Sequence, residues 1–291
     1  MLACERFPEI RAASAQSFDP PNERSGWLRS STACAGGEED LGAWPKPRPR
    51  SAGDTIALMC RMIAAPMGLP GRVLLDPFVR MAQGRNALNE HNTAPGVWRH
   101  PHGWGAVFED DGDDRLRRSV EVCWEDAALG SLADRRLYLL HARRASRGKV
   151  TLKNTHPFEA SARGDRWFFC HNGTVRDLSS GGRSDSQEVF DRLLPYVTED
   201  RILNGFREVY GEFDDFTGLN SFLFGPNELW VVCSYTKNPN YYTLILSDGP
   251  DGPIVSSEPL DEFASSRRAL PNGTVLRIDR ASGKVEWHTL D

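Results

Sequence analysis

Met59-Cys60-Arg61-Met62-Ile63-Ala64-Ala65 is the stretch on which the reading of this chain turns. A methionine and a cysteine stand directly before a short apolar run of strand character. The sequence upstream has a different texture. Pro8, Pro20, Pro21, Pro45, Pro47 and Pro49 interrupt it, and no apolar period is sustained through residue 58. In Ala43-Trp44-Pro45-Lys46-Pro47-Arg48-Pro49-Arg50 the alternating prolines remove backbone donors and favour an extended chain. A secretory signal would need a continuous apolar stretch behind a basic start, and the acidic residues argue against a transit peptide. Residues 1–59 are therefore expected to be a disordered extension, a propeptide or a mis-assigned start, with 60–291 as the folded domain.

Downstream of Met59, strand and helix signals alternate. Asp76-Pro77 reads as an N-cap with proline at the first helical position, opening a helix through about Arg85. Gly105–Glu109, Ser119–Trp124, Arg136–Arg144 and Arg166–His171 read as strands. Ser184 and Gln187 have capping-box spacing, and Val189, Phe190, Leu193 and Leu194 form the apolar stripe of the helix they open. Asp200–Tyr210 reads as helical despite Asn204-Gly205. Ser221–Phe224 and Glu228–Tyr235 form a hairpin through Gly225-Pro226-Asn227. Tyr241–Ser247, Thr274–Asp279 and Lys284–Thr289 complete a strand-rich C-terminal half. Many strands with few helices, and no internal repeat, predict an α+β layered fold.

Composition removes several classes of function. The 291 residues hold 35 Lys+Arg against 40 Asp+Glu, a net charge of −5, which argues against a surface that coats nucleic acid. No apolar run approaches the ~20 residues needed to cross a bilayer, so a cytoplasmic protein with no membrane partner is expected. The six cysteines, at 4, 34, 60, 123, 170 and 233, contain no CxxC pair of the kind found in zinc ribbons and redox sites. No Cys or carboxylate cluster completes a metal site at His100-Pro101-His102, and Gly181-Gly182 follows no strand as a phosphate-cradling loop would.

Four short segments carry the chemistry: Met59-Cys60-Arg61, His141-Ala142-Arg143-Arg144-Ala145-Ser146, His171-Asn172-Gly173 and Ser184-Asp185-Ser186. Supporting them are Gly103-Trp104-Gly105, Asn154-Thr155-His156-Pro157-Phe158, Ser257-Glu258-Pro259-Leu260 and Leu270-Pro271-Asn272-Gly273-Thr274. Together and in this order they resemble the class II glutamine amidotransferases, N-terminal-nucleophile (Ntn) hydrolases whose catalytic cysteine is the first residue of the mature chain. The resemblance spans about 60–291. It implies a four-layer αββα sandwich of the Ntn-hydrolase type within the α+β class, hydrolysis of a γ-glutamyl amide, and no metal or organic cofactor.

The residues themselves support that chemistry. A thiol titrates near ~8.5 and needs a local base at neutral pH, whereas a free α-amine titrates near ~7.7–8.0. Cys60 would carry its own base if it were the chain terminus; the alternative is a small buried hydrophobe. Cys170 and His171 are adjacent on a strand and point to opposite faces, so they do not make a Cys-His pair. The resemblance assigns the Asn172 side-chain amide and the Gly173 backbone N–H to an oxyanion hole, a reading compatible with a tight Asn-Gly turn. It assigns Arg143 to the substrate carboxylate and Asp185 to the α-ammonium, although Asp185 also suits a helix start. Strand alternation puts Leu137, Leu139, His141 and Arg143 on one face and leaves Arg144 as a solvated charge. Trp104 is expected to pack beside the nucleophile strand, and His156 to be a packed, hydrogen-bonded histidine. Ser146 stands where relatives often have Thr, and His102 where many have Asp.

The expected reaction is conversion of glutamine to glutamate and ammonia through a Cys60 γ-glutamyl thioester. A stand-alone hydrolase of γ-glutamyl peptides or conjugates is the alternative, and a non-catalytic binding or scaffold protein on the same fold is a third reading. The expected partners are glutamine or a γ-glutamyl compound and a separate ammonia-accepting synthase subunit, with no nucleic acid.

Overall fold

The computed structural model describes residues 60–85, 96–146, 148–178 and 183–291. The expectations for residues 1–59 and for Gly181-Gly182 lie outside them. Cys60 leads into β1 (Arg61–Pro70), followed by α1 (Gly71–Ala82), β2 (Trp104–Asp110), β3 (Asp113–Ser119), α2 (Ala127–Gly130) and β4 (Arg136–Ala142). Next come β5 (Phe158–Ala162), β6 (Asp165–Asn172), α3 (Asp185–Thr198), α4 (Ile202–Gly211), β7 (Asn220–Phe224) and β8 (Glu228–Cys233). The remaining elements are α5 (Pro239–Tyr242), β9 (Ile245–Gly249), β10 (Gly252–Ser256), β11 (Arg268–Ala269), β12 (Thr274–Asp279) and β13 (Val285–Thr289).

The strands form two antiparallel sheets, one ordered β11-β9-β10-β1-β4-β2-β3 and the other β13-β12-β8-β7-β6-β5. β1 therefore runs through the middle of the first sheet and is buried on both faces. Met62 and Ala64 pack with Phe168, Cys170, Phe222 and Val231 of the second sheet, while Ile63 and Ala65 pack on the other side with Leu74 and Phe78 of α1. The outer face of the second sheet is covered by Val189, Phe190, Leu193, Phe206 and Val209 of α3 and α4. Helix, sheet, sheet and helices make four layers, the αββα sandwich. The sheets are apolar on both faces because each is covered on both sides.

Several elements differ from the sequence reading. α1 starts at Gly71, and Pro77 lies inside it. The first helical amides, Gly71 and Arg72, donate to the carbonyls of Arg135 and Ala133 at 2.8 and 2.7 Å, so a distant turn supplies the cap. The strand after β2 is Asp113–Ser119 rather than Ser119–Trp124, turned by Asp111-Gly112 with φ of 54° and 81°. Asp-Gly is a strong hairpin signal. It was obscured because β3 is a sheet edge carrying Asp113, Arg115 and Arg117, as edge strands often do. Tyr241 and Tyr242 end a short helix opened by Pro239, and the strand begins at Ile245. In β4 the register shifts, with Val107 opposite Leu139 but Phe108 opposite Leu137. This bulge separates Leu137, on the α1 face, from Leu139, which faces the other sheet.

Candidate active site

The site lies at one end of the sandwich, where β1 begins and β4 and β6 end. Pairing of Arg61 with Ala142 and Met62 with His141 brings Cys60 alongside Arg143. Cys60 shares the inward face of β1 with Met62 and thus looks toward the second sheet. There its backbone nitrogen donates to Asn172 Oδ1 at 2.8 Å, joining the two sheets through a buried hydrogen bond. Among the described residues the thiol has one hydrogen-bond partner, the Arg144 carbonyl, at 3.8 Å. Burial pushes the thiol up to about 11, with the Arg143 charge pulling it back. At neutral pH such a thiol is about one part in ten thousand thiolate, so attack requires a base at hand.

Asn172 has a counterpart that shows what is unusual about it. It pairs across β6 and β7 with Asn220, and both are fully buried. Asn220 is satisfied at both ends, donating to the Tyr242 carbonyl and accepting from the Ser234 amide. Asn172 uses Oδ1 on Cys60 and leaves Nδ2 with no hydrogen-bond partner among the described residues. A buried unpaired N–H₂ is costly and marks a place where an acceptor belongs. Gly173 follows at the strand end. A Cβ there would lie 1.7 Å from the Gly218 carbonyl oxygen, so the missing side chain answers to a backbone contact rather than directly to ligand approach.

Arg143 and Asp185 are both buried. Burial lowers the Arg143 pKa, whereas the neighbouring Cys60 and Asp185 raise it, which brings the three groups into one electrostatic cluster. Arg143 Nη1 donates to the Lys149 carbonyl at 3.3 Å. The same carbonyl accepts from Asn154 Nδ2 at 3.1 Å, and Asn154 Oδ1 accepts from the Ser184 amide at 3.2 Å. Asn154 thus ties the loop under Arg143 to the start of α3. Its motif stands out in the sequence, but no neighbouring residue signals this bridging role. Ser184 caps α3 through Gln187, as the spacing predicts. Asp185 accepts from the Val175 amide at 2.8 Å and the Ser186 amide at 3.0 Å, so it braces the turn after Gly173 as well as the helix start. Ser146 keeps the hydroxyl its position calls for, bonded to Thr174 at 2.8 Å.

Other expected residues sit differently. Arg144 is half-buried rather than solvated: its guanidinium lies 3.9 Å over the Trp98 ring and donates to the Arg99 carbonyl at 2.6 Å. Trp104 is packed on the α1 face, with β4 between it and β1. His156 is packed between His141 and Phe158, at centroid distances of 4.2 and 4.4 Å, but neither ring nitrogen has a hydrogen-bond partner among the described residues. His102 Nδ1 accepts from the Ala145 amide, and His100 contacts the Ala82 carbonyl and the Tyr241 hydroxyl. Among the described residues no group of three or more His, Cys, Asp or Glu is placed to hold a metal, and no helix is long and apolar enough to cross a membrane.

Residues 91–201 match the family model of the class II glutamine amidotransferases. Arg143, Asn172, Gly173 and Asp185 fall inside that stretch, and Cys60 outside it. Over that stretch the chain resembles the class II glutamine amidotransferases. It is 29% identical over 116 residues to "Putative glutamine amidotransferase YafJ" of Escherichia coli, covering 36% of this chain and 46% of that protein. It is 29% identical over 220 residues to the gamma-glutamyl-hercynylcysteine sulfoxide hydrolase of Mycolicibacterium smegmatis, covering 70% of this chain and 89% of that one. The chain thus spans about half the length of the first relative and most of the second. In three dimensions it is similar to the glutamine phosphoribosylpyrophosphate amidotransferase of B. subtilis, with a TM-score of 0.56, 15% identity and coverage of 80% of this chain and 49% of that one. That likeness establishes the fold.

Proposed function

We propose that this protein hydrolyses the γ-amide of glutamine to glutamate and ammonia through a γ-glutamyl thioester on Cys60. The observation that carries the reading is Asn172, whose Oδ1 holds the Cys60 nitrogen while its Nδ2 stays unpartnered. In this reading Cys60 is the first residue of the active chain. Its α-amine takes the thiol proton as sulfur bonds to the γ-carbonyl carbon, and Asn172 Nδ2 with the Gly173 N–H meets the oxyanion. Collapse breaks the C–N bond, the α-ammonium returns the proton to departing ammonia, and water then cleaves the thioester. Arg143 and Asp185 hold the carboxylate and ammonium of the glutamyl group. A peptide nitrogen at residue 60 would have its lone pair delocalised and would not serve as base.

A second reading has its own support. The relative covered over most of its length carries the name of a γ-glutamyl conjugate hydrolase, which favours a leaving group larger than ammonia. In the first reading ammonia passes to a separate synthase subunit; in the second the protein acts alone. The deciding experiment measures glutamate release from glutamine and from a panel of γ-glutamyl compounds. It compares full-length protein with a form starting at Met59, intact mass defining each N-terminus. Activity confined to chains that begin at Cys60, and lost in Cys60→Ala, supports the mechanism. Turnover by protein retaining residues 1–59 would overturn it.

A further inference from the structure

Arg61, Tyr241, His100 and Glu258 form a buried polar assembly directly behind Cys60, outside the groups assigned to chemistry. Arg61 is 1% exposed and paired with Glu258 at 2.6 Å. Its guanidinium carbon lies 3.6 Å over the Tyr241 ring, and Nη1 donates to the Tyr241 carbonyl at 3.3 Å. The Tyr241 hydroxyl donates to the Cys60 carbonyl at 3.3 Å and meets His100 Nε2 at 3.1 Å. The strand entrance is clasped as well, because Met62 and Ser257 exchange bonds at 2.9 Å each way. Burying an arginine, a glutamate, a histidine and a tyrosine together is costly unless the arrangement specifies something.

We propose that Tyr241 is a positioning residue for the N-terminal nucleophile, acting through the Cys60 carbonyl. The inference rests on the reading of Cys60 as that nucleophile. A terminal residue has no preceding peptide to hold it, so its amine and thiol swing with the torsion between Cα and carbonyl carbon. One bond to the carbonyl and one from the nitrogen to Asn172 hold the two sides of Cα. The amine is thereby kept over the thiol and the thiol beside Asn172 Nδ2. His100 anchors the hydroxyl in the tautomer whose Nε2–H donates to the Tyr241 oxygen, which leaves the hydroxyl proton for the Cys60 carbonyl, and Arg61–Glu258 fixes the plane of the ring. The Ser257-Glu258-Pro259-Leu260 motif thereby acquires a role, since it carries the counter-ion of the residue next to the nucleophile.

Tyr241→Phe keeps the ring, its stacking and the backbone contact to Arg61, and removes the one hydroxyl. Measured in the form of the protein that releases glutamate, it is expected to lower kcat by about 10- to 100-fold, as misplacement of a reacting group does. KM should stay within twofold, because Arg143 and Asp185 are untouched. Inactivation by a diazoketone analogue of glutamine, which must be attacked by Cys60, should slow in parallel with kcat. His100→Gln, which retains a partner for the hydroxyl, should keep most of the activity, and His100→Ala should fall toward the Tyr241→Phe value. A Tyr241→Phe protein with kcat within twofold of the parent would overturn the proposal, as would a loss appearing in KM instead. Cys60→Ala, run alongside, separates the two failures: its retained turnover would remove the nucleophile reading itself, whatever Tyr241→Phe shows.

Discussion

Replacing His156 with Phe tests the buried histidines at the base of the site. His100, His141 and His156 are fully buried, and burial holds each below its ordinary pKa, His141 at about 3. They are neutral in the fold but take up protons in the unfolded chain below about pH 6.5. Their contribution to stability is therefore full above that pH and is lost as pH falls toward the folded value. Each depressed histidine costs at most about 1.4 kcal/mol per pH unit below about pH 6.5, and His141 alone removes about that much at pH 5.5. His156 isolates one share, because neither of its ring nitrogens has a partner to lose. His156→Phe should change stability at pH 7.5 by no more than about 1 kcal/mol, since an unpaired buried polar group gives up little when replaced by an apolar ring. The variant should then gain on the parent progressively as pH falls below about 6.5, by at most about 1.4 kcal/mol per pH unit. Urea unfolding followed by tryptophan fluorescence at these pH values gives the difference directly. A difference that stays constant between pH 7.5 and 5.5 would show that His156 is protonated within the fold, and the reasoning would fail.

Asn172→Ala should lower kcat for glutamate release by roughly 10²–10³, the usual cost of an oxyanion donor, with kcat measured at saturating glutamine. Arg143→Ala and Asp185→Ala should weaken substrate capture by roughly 2–5 kcal/mol, read from KM, because each strands the opposite charge of a buried cluster. Arg144→Ala should destabilise the protein by about 1–2 kcal/mol in urea unfolding, since it strips the face of Trp98 and frees the Arg99 carbonyl. On the alkaline side, burial raises Cys123 to about 12 from an ordinary 9.0. Its contribution is whole below about pH 9 and lost as pH rises toward 12, by about 1.4 kcal/mol per unit, and Cys123→Ala should flatten that limb.

Short-range physics was legible in the sequence. The Ser184 cap and its stripe, the hairpin through Gly225-Pro226-Asn227, and the apolar strands around Cys60 and Phe168 follow from side chains within a few residues of one another. The candidate residues could be named from the sequence too, because the proposed acyl transfer needs a nucleophile, an oxyanion donor and a charge clamp, and few residue types serve. Relations between distant segments were not. The start of α1 is set by carbonyls more than sixty residues away at Ala133 and Arg135, which no local propensity reports. The bulge at Tyr138 returns Leu137 to the helix face, and only the register against β2 reveals it. Arg144 looked solvated because alternation points it away from the pocket, and Trp98, which covers it, is a tertiary neighbour. Asn172 and Asn220 are the same amino acid on paired strands, and their difference lies wholly in what surrounds them. One has both ends satisfied by backbone, whereas the other meets the nitrogen of Cys60 and keeps a free N–H₂. Sequence determines which groups are available; folding determines which of them are left unpaired, because hydrogen bonding is decided by distances that only the packed chain defines.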